Sequence, residues 1–285
     1  MDNQSPNVRR RRLGRVLRGL REDAGLTLEA AAKAAGVPRA TLGRIETADA
    51  RRLRHTDLDS LADLYEVDES TRQAMHELAR QSKERGWWSK YRDVFGDQAL
   101  PDWEAEASMI RRFEGLTVPG LLQTPEYAAA VFRAGRVIPE DEVQRRVEAR
   151  MKRREIFNRV KPPHMVAVID EGALRRLIGG PQVMHDQLTH IRNMAARHNI
   201  DIQVLPYSAG AHLALAGPFT ILDFPEPKDQ PIVHVETNMD GLYLEQLDDI
   251  ERYNVAFSNV QGVALSTALS DEFIADVMQS LESTR

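Results

Sequence analysis

LRGLREDAGLTLEAAAKAAGVPRATLGRIE, residues 17–46, is the stretch whose reading decides the fold. Just ahead of it and into it, Leu13, Val16, Leu17 and Leu20 recur at helical spacing, and Gly25 stops that helix. Thr27 caps a second helix, whose small face is Ala31, Ala32 and Ala35 behind Leu28. Gly36 ends it in a tight turn. Pro38 opens a third helix, where its missing N–H costs nothing. Two short helices joined by a glycine-containing turn form the helix-turn-helix pattern. Leu42 and Ile45, three apart, face the core. Arg39, Ala40, Thr41, Gly43 and Arg44 remain for the side that enters a major groove in this motif. Outward from this stretch, Leu58, Leu61, Ala62 and Leu64 predict a fourth helix, and Met75, Leu78 and Ala79 a fifth.

Residues 17–46 resemble the Xre-type, phage-repressor-like DNA-binding domains in the spacing of their apolar, glycine and arginine positions. The resemblance implies double-stranded DNA as a partner. It makes Arg39 and Arg44 the candidates for base edges, since a guanidinium can donate two bonds to a guanine. It assigns Thr27 to a phosphate at a helix start, and Arg51, Arg52 and Arg54 to phosphates beyond the recognition helix. Two readings stay open for Arg9 to Arg12: a strip that meets phosphates or a minor groove, or a solvated arm. Two departures stand out. Leu28 replaces the glutamine that many members carry in the first turn of helix two. Ala40 and Gly43 stand where polar readers are usual, which implies modest direct specificity or reliance on DNA shape.

Charge supports a nucleic-acid partner. Residues 1–56 carry 13 Lys/Arg against 6 Asp/Glu, a net of +7, whereas the remainder carries −12. A basic head on an acidic body suggests that the head meets a polyanion; charge alone leaves a solvated basic face as the alternative. The chain of 285 residues has no cysteine, so disulfides, thiolate metal sites and thiol nucleophiles are excluded. The longest stretch without a formal charge, Ile202 to Leu222, is interrupted by Pro206, Gly210, Gly217 and Pro218, so it reads as strand and loop rather than a membrane span. Residues 1–20 are basic and never become a continuous apolar stretch, so they do not read as a signal peptide. The expected location is the cytoplasm, with no membrane contact.

Tyr65 is the only Phe, Trp or Tyr before residue 87; Trp87 and Trp88 then stand side by side. They mark an expected boundary between a head at 1–84 and a second domain at 85–285. Two readings stay open for the pair: first core residues of that domain, or a seam fixing the angle between reader and sensor. Residues 85–162 read as helical, with Trp103, Ala107, Ile110 and Phe113 as one spacing pattern and a long helix over 140–160 striped by Val143, Val147, Met151 and Ile156. Residues 163–285 read as α+β: strands at 164–170, 200–205, 219–224 and 232–236, another near Tyr243, and helices at 171–178, 183–197, 246–262 and 270–281. The expected fold is an all-α five-helix head followed by a larger α+β domain with a small sheet.

The stretches GWW at 86–88, EAEA at 104–107, VPGLLQTPEYA at 118–128, RRVEARMKRRE at 145–155, DEGALRRLIGG at 170–180, VLPYSAGAH at 204–212 and FTILDF at 219–224 occur in this order. Together they resemble the large carboxy-terminal domain of the WhiJ-like actinobacterial regulators. That resemblance implies a transcriptional regulator, and a small protein partner encoded by a neighbouring gene in an antitoxin-like arrangement. A homodimer is expected because one head makes few DNA contacts.

Enzyme motifs are absent: no GxGxxG, no phosphate-binding lysine loop, no G-x-S-x-G around Ser208, no HExxH among His185, His190 and His198. Asp170 and Glu171 read as a helix cap before an acid pair. The expectation is no catalysis, no metal and no cofactor. A candidate ligand pocket lies at the loop 206–218, lined by Tyr207, His212 and Phe219, with His234 and Glu236 from a neighbouring strand. The alternative is that this loop only packs over the sheet.

Overall fold

The computed structural model describes residues 6–50, 53–82, 87–95, 100–134, 138–226, 229–236 and 241–282. Arg51 and Arg52, both expected phosphate contacts, lie outside these residues, as does the expected domain boundary at 84/85. The chain divides into two compact units, residues 1–106 and 107–285.

In the first unit the helices are α1 (Pro6–Asp23), α2 (Leu28–Ala35), α3 (Arg39–Glu46), α4 (His55–Leu64) and α5 (Glu69–Gln81). Local chemistry sets their ends. Thr27 accepts a bond from Ala30 N at 3.2 Å, and Asp68 caps α5 by accepting from Thr71 N at 2.7 Å. Gly36 takes the left-handed conformation (φ 67°), which lets Val37 N reach back to Ala32 O at 2.9 Å. Leu13, Leu17, Ala31, Ala32, Leu42, Ile45, Leu58, Leu61 and Met75 share one buried core drawn from all five helices.

The aromatic stretch completes this unit. A 3₁₀ turn at Trp87–Tyr91 leads to α6 (Arg92–Phe95) and α7 (Leu100–Glu106). Trp88 is buried, and its Nε1 donates to Oδ1 of the buried Asp102 at 3.1 Å. Trp87 meets Tyr91 and Phe95 edge to face. Helix α7 packs on α1: the Arg11 guanidinium lies 5.1 Å from the centre of the Trp103 ring, and Arg9 lies 3.7 Å from Glu106. The run Arg9 to Arg12 is therefore helical rather than an arm, and two of its arginines turn to α7.

In the second unit six strands form one mixed sheet in the order β3-β2-β1-β4-β5-β6: β1 (Met109–Glu114), β2 (His164–Asp170), β3 (Ile200–Leu205), β4 (Phe219–Asp223), β5 (Ile232–Glu236) and β6 (Gly241–Leu244). The connecting helices are α8 (Pro125–Arg133), α9 (Glu140–Arg154), α10 (Glu171–Arg175), α11 (Pro181–Ala195), α12 (Leu247–Val263) and α13 (Thr267–Glu282). Fold class is as expected: a helical head, then an α+β unit.

One expected element is overturned. Residues 109–114 form β1, not a helix, so the stretch 85–162 is not all helical. The spacing of Trp103, Ala107, Ile110 and Phe113 mimics a helical face, but α7 ends at Glu106 and Ser108 N bonds Asp223 O at 2.8 Å as the strand begins. Central position decides the matter. Strand β1 pairs parallel with β2 on one side and antiparallel with β4 on the other, and neither partner is local in sequence. Helix α12 covers one face of the sheet, over Phe113, Val166, Val168, Phe219, Ile221 and Val233.

Gly14 and Gly19 offer a matched test within α1. A Cβ at position 14 would stand 2.5 Å from Ile45 O and 2.8 Å from Glu46 O, whereas nothing lies within 4 Å of one at position 19. Gly14→Ala should destabilise the head by about 1–3 kcal/mol through overpacking, while Gly19→Ala should stabilise it by up to about 1 kcal/mol. Urea denaturation measures both; equal effects would contradict the close approach of α1 to α3.

Candidate DNA interface and the polar face of the sheet

Helix α3 presents Arg39, Ala40 and Arg44 exposed, with Thr41 and Gly43 half-buried and Leu42 and Ile45 turned inward. The face expected to read DNA is thus open. Thr27 is exposed at the start of α2. Its Oγ1 accepts from Ala30 N, and its hydroxyl hydrogen is left to donate to a phosphate. Leu28 and Gly43, which belong to the two departures from the resembled pattern, adjoin. Leu28 Cδ2 lies 3.5 Å from the point a Gly43 Cβ would occupy, so the apolar leucine of α2 closes over the bare backbone of α3.

A side-chain fork holds the far end of α3. Arg21 Nε and Nη2 donate to the two carboxylate oxygens of Glu46 at 2.8 and 2.9 Å, and Nη1 donates to Leu26 O at 2.9 Å. Both side chains are largely buried (13% and 6% exposed), so this is a bidentate pair with little solvent screening.

In the second unit the expected pocket residues do not converge. Residues directly opposite across a ladder share a face. Phe113, Phe219 and Val235 form one such row, on the α12 side, and His212 packs its ring 5.4 Å from that of Phe113. Arg112, Thr220, His234 and Tyr243 form the adjacent row, on the opposite face, with Glu236 two residues beyond His234. Tyr207 is exposed, its N–H donating to Glu171 Oε2 at 2.8 Å. The five residues are therefore split by strand parity, and the loop 206–218 does not gather them.

The polar row carries the unusual chemistry. Arg112, Glu114, Thr220 and His234 are all buried. Arg112 donates to Glu114 Oε2 at 3.2 and 2.7 Å and to Thr220 Oγ1 at 3.0 Å, and lies 3.4 Å from Glu236. Helix α9 adds Arg150 and Arg153, whose Nη1 atoms both lie 3.7 Å from where a Gly120 Cβ would stand. Arg150 Nη1 donates to Gln123 Oε1 at 2.6 Å. The loop 118–124 is pinned by the fully buried Gln187, which accepts from Thr124 N and donates to Leu122 O, each at 2.7 Å. Sequence reading missed Arg112 and Glu114 because their strand was taken as helix. A signal did exist for α9: Val143, Val147, Arg150 and Arg154 recur at helical spacing, so arginines continue the buried stripe.

Asp170 caps α10 by accepting from Gly172 N at 2.7 Å, as expected, and Glu171 accepts from Arg175 and Tyr207 N. Among the described residues no helix is long and apolar enough to cross a membrane, and no group of three or more His, Asp or Glu is placed to hold a metal ion.

Comparison with known proteins gives two matches. Residues 98–276 match the family described as domain of unknown function (DUF5753), and residues 12–75 match helix-turn-helix domains. No curated protein and no solved structure matches the chain.

Burial drives His234 down to about 4, and burial likewise lowers His190. An unfolded histidine titrates near ~6.5, so between pH 6.5 and 4 the unfolded chain binds more protons than the folded one. Stability should be complete above pH 6.5 and fall as the pH drops toward 4, by on the order of 3 kcal/mol from the buried His234. His234→Gln should flatten that part of the stability profile, measured by denaturant titration at each pH; an unchanged slope would contradict the assignment.

Proposed function

The chain belongs to the DUF5753 family and carries a helix-turn-helix domain ahead of that region, and on this premise we propose that it is a sequence-specific, DNA-binding transcriptional regulator. The observation that carries the reading is the open Arg39–Arg44 face of α3, held at its far end by the Arg21–Glu46 fork. Arginine on a rigid recognition helix suits bidentate contacts to guanine in a major groove. In this reading Thr27 and Arg54 supply phosphate contacts that set register.

The second unit dimerises and receives a signal in this reading, either from a ligand or from a small protein partner. Dimerisation follows from the paucity of contacts one head can make; paired half-sites multiply affinity. The reading assigns the chain no catalytic step and places it in the cytoplasm with its DNA. The resemblance to WhiJ-like regulators belongs to this same proposal.

A second reading makes the chain an antitoxin-like protein that sequesters a partner and binds DNA to regulate itself. The exposed Tyr207, Leu213 and Leu215 on one loop of an acidic unit support it. Co-purification of a small neighbouring gene product would favour this reading; a homodimer occupying many genomic sites would favour the first.

Arg44→Ala should weaken binding to the preferred DNA by about 1–3 kcal/mol and relax preference at one base position. Fluorescence anisotropy against the operator and its single-base variants measures both. Unchanged affinity and selectivity would remove Arg44 from the base-reading role.

A further inference from the structure

Two histidines meet in the head where α4 packs on α5. His55 is the first residue of α4, and His76 lies within α5. Their Nδ1 atoms stand 3.0 Å apart. The two rings are nearly parallel, with 11° between their planes and 5.2 Å between their centres. On its other edge, His76 Nε2 lies 2.8 Å from Asp59 Oδ1. Asp59 follows His55 by four residues on α4, so one helix face presents both the histidine and the carboxylate to His76. The sequence hides this pair, because its members are 21 residues apart and on different helices.

The three groups fix where the protons sit. A carboxylate accepts and cannot donate, so the Nε2 of His76 carries the hydrogen of that bond. The Nδ1 of a neutral His76 is then a bare lone pair aimed at His55. In the neutral pair His55 Nδ1 supplies the one proton between the two nitrogens. The bond from His76 also holds the Asp59 carboxyl below its ordinary range, with Arg72 helping. Arg72 lies 3.4 Å from the same carboxylate oxygen and pairs with Asp63 as well, so two acids match its charge. A histidine tied to a carboxylate at its far nitrogen and bare at its near one is the arrangement in which imidazoles bind metal ions. Two zinc-bound nitrogens, each about 2.0–2.1 Å from the ion, stand roughly 2.9–3.4 Å apart at right-angled to tetrahedral geometry. The separation of 3.0 Å falls within that span. His55 is exposed and the His76 side chain partly so, which leaves the pair open to an ion from solvent.

We propose that His55 and His76 form a surface site for a divalent transition-metal ion that prefers imidazole, zinc above all, with both Nδ1 atoms as ligands, Asp59 orienting His76 from behind, and water in the remaining positions. Among the described residues no third His, Asp or Glu joins the pair as a ligand, so the site is open and exchangeable rather than a closed structural centre. It departs from the expectation of no metal drawn from sequence. On binding, the ion takes the place of the proton between the two nitrogens, which leaves to solvent. Because the ligands come from α4 and α5, the ion clamps the two helices together. It also stands beside Arg54, the residue that precedes α4 and an expected phosphate contact. Metal binding rests on the pair alone; a metal-dependent change in operator affinity rests on the function proposed above.

The test titrates the untagged full chain with zinc chloride at neutral pH, against magnesium chloride at matched ionic strength. Isothermal titration calorimetry gives affinity, and the imidazole resonances of His55 and His76 locate the ion. Saturable zinc binding that shifts both sets of resonances is expected, with none for magnesium. His55→Asn, His76→Asn and Asp59→Ala should each weaken that binding roughly tenfold or more. His185→Asn, which removes a separate histidine–carboxylate pair with Glu282, should leave it unchanged. Circular dichroism shows whether each variant is folded; where one histidine variant is not, the other decides, and where neither is, the resonances of the unmodified chain decide. No saturation beyond the magnesium control, saturation that leaves the His55 and His76 resonances unmoved, or a folded His55→Asn binding as tightly as the unmodified chain would overturn the site and leave a pair that only shares a proton. Operator affinity is then read with and without zinc, and should rise severalfold with the ion bound. Zinc binding that leaves operator affinity unchanged upholds the site and counts against its regulatory use alone.

Discussion

An eight-residue helix has no stability of its own in water, and everything the head can do depends on holding α3 in place. Its inner side is held by Leu42 and Ile45 in the shared core. Its far end is held by the Arg21–Glu46 fork and by the bare Gly14, which lets α1 press against the last carbonyls of α3. The fork and the close approach are complementary. The first fixes direction through two parallel bonds, and the second fixes distance through backbone contact. Removing one partner of this part-buried pair leaves the other charge without its match. The exposed Arg39 and Arg44 inherit their positions from these two constraints.

The second unit depends in the same way on β1. This strand is central in the sheet, and it places Arg112 and Glu114 on one face and Phe113 on the other. The Phe113 face becomes an ordinary apolar core under α12. The Arg112 face becomes a row of polar groups that must satisfy one another in low dielectric. The loop 118–124 closes near this row because Gln187, Gln123 and Tyr127 bond its backbone. Two of the stretches that carry the family resemblance, VPGLLQTPEYA and RRVEARMKRRE, meet where Arg150 and Arg153 approach Gly120.

Packing and family resemblance divide the chain differently. The match to DUF5753 begins at residue 98, whereas the first compact unit runs to residue 106. Helix α7 lies between those limits. By sequence it belongs with the second region; by contact, through Trp103 on Arg11 and Asp102 on Trp88, it belongs with the head. The two adjacent indoles are thus explained without a linker. Trp88 anchors the returning chain, and Trp87 closes an aromatic cluster with Tyr91 and Phe95.

The sequence by itself determined every feature whose cause is local. Capping at Thr27 and Asp68, the left-handed Gly36 and the helical stripes of the head rest on interactions within a few residues, and the strands at 164–170, 200–205 and 232–236 were legible from their apolar runs although distant strands hold them. Only the tertiary structure decided what nonlocal pairing controls. Whether 109–114 is a helix or a strand depends on β2 and β4, which arrive from 55 and 110 residues further along the chain. Whether His234 meets Phe219 or Arg112 depends on register, and because strand side chains alternate, a shift of one residue exchanges the two faces. The polar row of Arg112, Thr220 and His234 was hidden for that reason: its members come from three strands that only the folded sheet brings together.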